Sequence, residues 1–180
     1  MVYASKPQIN AILPSTVPAG DAQLTVTYNG VQSQTVNVWI APAAPGVFFQ
    51  QQSGTPMAVA QNYVSATEYP LNTAATPAKP GQILVLWGTG LGAIAAADNV
   101  APGAAASDMS ALPVQILVGG VAAQRLYAGR QPQTASVDNV YLTVPPGTGF
   151  GCRVPVQVVA GGVPANTTYL AITADGSPCQ

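Results

Sequence analysis

The sequence predicts an all-β chain whose antiparallel strands form sheets packed face to face. Three observations predict it. Apolar residues recur at every second position over short runs. The runs are punctuated by Gly and Pro, 18 and 17 of the 180 residues. The end of the chain also repeats its beginning. Residues 8–14 read QINAILP and residues 139–145 read NVYLTVP; LTVTYNGVQSQTVNVWI at 24–40 returns as VQVVAGGVPANTTYLAI at 156–172. The match is ungapped within each strand block and slips by one residue in the turn between them.

Taken in order, Ile9, Ala11 and Leu13 alternate with other residues as a half-buried strand does. Pro14 to Asp21 is turn chemistry, and Leu24, Val26 and Tyr28 then alternate with threonines. Asn29-Gly30 is a strong hairpin signal, because both central positions tolerate φ > 0. Val36, Val38 and Ile40 form the returning arm, and residues 41–47 a Pro-rich connector. The periodicity is weak over 48–76, where MAVAQNYV at 57–64 suggests short strands. PAKPGQ is a turn, and ILVLWGTGLG a continuous apolar strand ending in glycines. The Ala-rich stretch 93–112 reads as a long loop, with a short helix over Gly92–Asp98 considered because alanine favours one. Val114, Ile116 and Val118 run up to Gly119-Gly120, and Val121 to Tyr127 is the partner arm. After a polar loop at 128–138, Val140, Leu142 and Val144 copy Ile9, Ala11 and Leu13. Val156 and Val158 copy Leu24 and Val26, Leu170 and Ile172 copy Val38 and Ile40, and Gly161-Gly162 replaces Asn29-Gly30.

The predicted organisation follows. Residues 77–180 hold a complete immunoglobulin-like β-sandwich, a unit of about 100 residues. Residues 1–47 hold an incomplete related unit, the last three strands of the repeat, and residues 48–76 connect the two with short strands. Three strands with one apolar face do not close a core alone. They must pack on residues 48–76, on the complete domain or on another chain.

Charged residues are 6% of the chain and the net charge is −1. Lys6, Lys79, Arg125, Arg130 and Arg153 are scattered, whereas phosphate neutralisation needs clustered cations, so nucleic acid is not an expected partner. No apolar run approaches the ~20 residues that span a bilayer as a helix. The N-terminus lacks the basic start and apolar centre of a secretion signal, and Met1 is read as an added start or the start of a fragment. Cys152 and Cys179 bracket the last hairpin. One reading pairs them, closing a loop worth about 3.5 kcal/mol; the other leaves two thiols in a reducing compartment.

The chain has no histidine, which removes Ser-His-Asp and Cys-His nucleophiles and the commonest metal ligand. Gly88-Thr-Gly90-Leu-Gly92 follows a strand, but its spacing is not that of a dinucleotide loop and it reads as a permissive strand end. Asp21, Glu68, Asp98, Asp108, Asp138 and Asp175 read as solvated turn residues. Asp98, Asn99 and Asp108 offer oxygen ligands without the spacing of a known calcium loop. Trp39 is out of phase with Val38 and Ile40, and Tyr141 with Val140 and Leu142, so both leave the core face of their own sheets. They are the candidate interaction surface, expected to cover the join between units, with sugar stacking as the rival reading. Asn166-Thr-Thr matches a glycosylation triplet.

At PGQILVLWGTGLG, LPVQILVGGVAAQRLYAG, VYLTVPPG and CRVPVQVVAGGVPAN, the chain resembles the IPT/TIG class of immunoglobulin-like domains. More closely, it resembles the uncharacterised C-terminal domain of secreted proteins from Solibacter-type soil bacteria, through the APAAPG link, the PAKPG turn and the TGLG strand end. The resemblance implies paired terminal cysteines at 152 and 179, and no activity, cofactor or binding residue. The expected function is a non-catalytic module of a larger secreted or surface protein, with a signal upstream or removed. It is structural or adhesive, and binds a protein partner or itself through an open sheet edge. The alternative is a carbohydrate-binding module of a polysaccharide-degrading system.

Overall fold

A computed structural model describes residues 3–103 and 107–179; Met1 and residues 104–106 of the expected Ala-rich loop lie outside the described residues. All regular elements among them are strands. From Gly46 onward they build two sheets. A six-stranded sheet orders Ala60–Asn62, Ile83–Thr89, Asp138–Thr143, Gln124–Arg130 and Ser107–Asp108, with Gly46–Val47 also on Ile83–Thr89. A seven-stranded sheet orders Val121–Ala122, Val114–Val118, Gly151–Ala160, Thr168–Ile172, Thr55–Ala58 and Phe49–Gln52, with Val163–Pro164 also on Gly151–Ala160. Leu84, Leu86 and Leu142 from the first sheet meet Ile116, Val156, Leu170 and Ile172 from the second in one core. Each such side chain contributes about 1.5–3 kcal/mol by leaving water.

Residues 48–76 are more than a connection. Phe49–Gln52 and Thr55–Ala58 extend one sheet, and Ala60–Asn62 edges the other. The chain changes sheets at Val59, whose amide donates to the Phe48 carbonyl and whose carbonyl accepts from the Trp87 amide. Ala58 and Ala60, two residues apart, both face the core, one from each sheet. The boundary expected at residue 77 thus does not separate the sandwich from what precedes it.

No helix forms over Gly92–Asp98. The Gly92 carbonyl accepts from Arg130, and the Ile94 amide donates to the Ser15 hydroxyl. Arg130 thereby takes a carbonyl that a helical ladder would use, and this outweighs alanine's modest preference.

The opening strands copy the closing ones pair by pair. Ala22↔Val38 and Leu24↔Val36 correspond to Val154↔Leu170 and Val156↔Thr168. The register then shifts by one in both hairpins, to Thr27↔Gln32 and Tyr28↔Val31 against Val159↔Pro164 and Ala160↔Val163. The tips match too: Asn29 and Gly30 have φ of 48° and 77°, Gly161 and Gly162 of 58° and 82°. Two details differ from the sequence reading. The one-residue slip is a β-bulge between Gly151 and Val154, inside the strand rather than in the turn. A fourth strand also belongs to the first unit: Tyr3↔Asn10 and Ala4↔Ile9 match Tyr127↔Tyr141 and Ala128↔Val140 across a shorter loop.

Candidate functional site

Three regions gather the chemistry. The first is the junction of the two units. The glycines of the GTGLG segment let the 42–47 linker lie against this strand end. A Cβ on Gly88 would collide with the Gly46 carbonyl, and one on Gly90, at φ +88°, with the Ala44 carbonyl. The Ala44 amide donates to the Gly90 carbonyl at 2.9 Å. Asn166 secures the linker from the other side. It accepts from the Val47 amide at 2.8 Å and donates to the Val47 carbonyl at 3.0 Å, so its amide is engaged in packing.

Behind the glycines lies an ion pair. The Arg130 guanidinium donates to Asp138 and, at 2.9 Å, to the Gly92 carbonyl; the Leu91 amide donates to Asp138 at 2.8 Å. Burial raises the Asp138 carboxyl above its ordinary value, against the pull of the Leu91 amide and of Arg130. Asp98 reaches across to the first unit, accepting from the Ser15 amide at 2.7 Å and the Ser15 hydroxyl at 2.6 Å. Burial pulls Asp98 upward, but the Ser15 bonds and Arg130 outweigh it and hold this carboxyl below its ordinary value. Asp98 and Asp138 were expected to be solvated turn residues, and both have structural partners instead. Asp108 pairs with Arg125 at 2.7 Å, so the two carboxylates considered for calcium have separate cationic partners. Between the units lies a cleft of about 420 Å³, bordered by Leu13, Ser15, Ile40, Gly92 and Arg130.

The second region is the outer face of the six-stranded sheet. Register aligns Gln61, Val85, Tyr141 and Tyr127 in one row across it. Tyr127 and Tyr141 pack with ring centroids 5.2 Å apart, and Tyr63 and Tyr69 edge to face at 5.3 Å. Tyr69 also raises the Tyr141 hydroxyl, after burial, which links the two pairs. Burial, then the charges of Asp108, Tyr141 and Asp138, push Tyr127 up to about 12, and its hydroxyl donates to the Arg130 carbonyl at 2.6 Å. Trp87 donates to Gln61 at 2.9 Å. The face is a band of neutral rings edged by amides.

The third region is the first unit's hairpin. Trp39 is 69% exposed there, and Leu24, Val36, Tyr28 and Val31 are exposed as well. The structure therefore does not bring Trp39 and Tyr141 together. Tyr141 belongs to the tyrosine band, and Trp39 stands on a two-stranded sheet of its own. Trp39 was expected to cover the join, but the junction is made by Ser15, Asp98 and the linker. Ser15 and Arg130 were missed by sequence reasoning: a lone serine in a turn carries no local signal of a contact with Asp98 83 residues away, nor an arginine beside a loop of one with the Gly92 carbonyl 38 residues away. Cys152 and Cys179 form a disulfide. It ties the bulged strand to the C-terminal tail, where the Cys179 amide also donates to the Ala74 carbonyl. Comparison with family models, with curated proteins and with solved structures gave no match.

Proposed function

We propose that this chain is a non-catalytic, extracellular, immunoglobulin-like module, a structural or adhesive segment of a larger secreted or surface protein. The observation that carries the reading is the contrast between a closed sandwich and an adjoining hairpin whose apolar residues stand in solvent. An open sheet edge with exposed apolar side chains is a template for association with another chain. The disulfide supports an oxidising compartment. The absence of histidine from the sequence supports a binding role over the commonest acid–base and nucleophilic chemistries. Membership of the IPT/TIG class remains part of this proposal, resting on the motifs quoted above. Light scattering over a range of concentrations tests the adhesive reading: reversible growth in mass is expected, and a strictly monomeric chain at high concentration overturns self-association.

The tyrosine band favours a second reading, polysaccharide binding by ring stacking. Sedimentation with insoluble polysaccharides measures it directly. Binding lost in Tyr141→Ala but kept in Trp39→Ala would place the site on this face, and no binding by the unaltered chain removes the reading.

A further inference from the structure

The internal repeat states what the exposed face of the first unit is built to meet. In the second copy Val144 and Val156 are fully buried; their counterparts Leu13 and Leu24 are 57% and 54% exposed. The second copy closes over these positions with strands that the first unit lacks among the described residues. Ile83–Thr89 pairs with Asp138–Thr143, the counterpart of Gln8–Asn10. Val114–Val118 pairs with Gly151–Ala160, the counterpart of Gly20–Leu24. Thr55–Ala58 meets Thr168–Ile172, the counterpart of Val36–Ile40. Gln8–Asn10 and Gly20–Leu24 each pair on one side alone among the described residues.

We infer that the first unit is half of a second immunoglobulin-like sandwich, and that its open face is completed by a polypeptide segment patterned like residues 46–126. This rests on the proposal that the face is the protein's interaction surface, and it names the occupant. The missing half is asymmetric: one strand beside Gln8–Asn10 in the first layer and one on each side of the hairpin in the other. A second copy of the opening unit offers only the strands already present. The occupant must therefore carry the other half of the repeat. Its chemistry is that of Ile83–Thr89 and Val114–Val118: uncharged strands with aliphatic side chains at alternate positions, such as Leu84, Leu86, Ile116 and Val118.

The experiment duplicates residues 46–126 directly ahead of Tyr3 in the full chain, so that Tyr3 follows Leu126 as Tyr127 does. Backbone hydrogen exchange is then read at residues 8–10, 20–28 and 36–40. In the dilute monomeric chain these amides are expected to exchange far faster than those of the sandwich, and duplication is expected to slow them at least about a hundredfold. Leu24→Asp in the duplicated chain should abolish that gain while the amides of 138–143 stay protected. The inference is overturned if the same amides are already protected in the dilute monomer, if duplication leaves them unchanged, or if they become protected only as the unaltered chain dimerises. Protection by duplication in a chain that shows no self-association would retain this inference and remove only the adhesive reading.

Discussion

At the scale of single residues, the buried polar groups separate into those with partners and those without. The Asn72 amide donates to Asn62 at 3.0 Å and to the Ala171 carbonyl at 2.9 Å, and its oxygen accepts from the Ala171 amide at 2.8 Å. It stitches the 62–76 segment to a core strand. Asn72→Ala leaves the buried Ala171 amide without this partner, while the Ala171 carbonyl keeps the Ala78 amide, and a loss of about 1–3 kcal/mol is expected in urea denaturation. Thr168 is the opposite case. It is fully buried, its hydroxyl has no hydrogen-bond partner among the described residues, and the repeat places Val36 at the equivalent position. Thr168→Val keeps the shape and removes the orphaned group, so the same measurement should show a gain of about 1 kcal/mol. No gain would mean that the hydroxyl has a partner in solution.

At the scale of elements, the glycine-ended strand Ile83–Thr89 is the hub. One side of its end takes the linker, and the other takes the Arg130–Asp138 pair through Leu91 and Gly92. Gly90→Ala meets both a left-handed φ and the Ala44 carbonyl. The expected cost is about 1–3 kcal/mol, with faster proteolysis of the 41–47 linker than of the sandwich strands. Unchanged cleavage there would show that the linker is held without this approach. The same strand shows what alternation can and cannot reveal. Its apolar run was legible as a strand, but a continuous run does not single out Leu84 and Leu86 as the core-facing residues. The glycines after them were legible as a strand end, but the carbonyls they admit come from a segment more than forty residues earlier. The strands of 49–62 were illegible for another reason: Ala58 and Ala60 face the core, but Met57 and Val59 beside them are apolar too, so no contrast marks the inward face.

At the scale of the whole molecule, a small polar latch joins the two units. Asp98 is held below the ordinary carboxyl value of 3.8 in the folded chain, with burial opposing and the Ser15 bonds prevailing. A lowered carboxyl stabilises the fold above its unfolded value, and that contribution is lost as pH falls through the folded one. Asp138 has the opposite sign: raised by burial, it favours folding most at low pH, and that contribution is lost as pH rises through its folded value. Acidification below about 3.8 should therefore expose the amides of residues 11–19 to exchange before those of strand Asp138–Thr143. Ser15→Ala should produce the same opening at neutral pH. Simultaneous loss of both regions would show that the junction and the sandwich unfold as one.

The sequence by itself determined that the chain is all β, that its closing hairpin repeats its opening one, and which residues of the alternating strands point inward. These are local properties, set by alternation and by the backbone freedom of Asn29, Gly30, Gly161 and Gly162. It left the state of the two cysteines open between two readings. Tertiary structure decided that they pair, that 49–62 belongs to both sheets, that Asp138 is buried against Arg130, and that Leu24 stands in solvent where Val156 is enclosed. The inward pattern is the same in both copies. Burial depends on whether a second layer is present to receive it, and that is a property of the neighbours rather than of the strand.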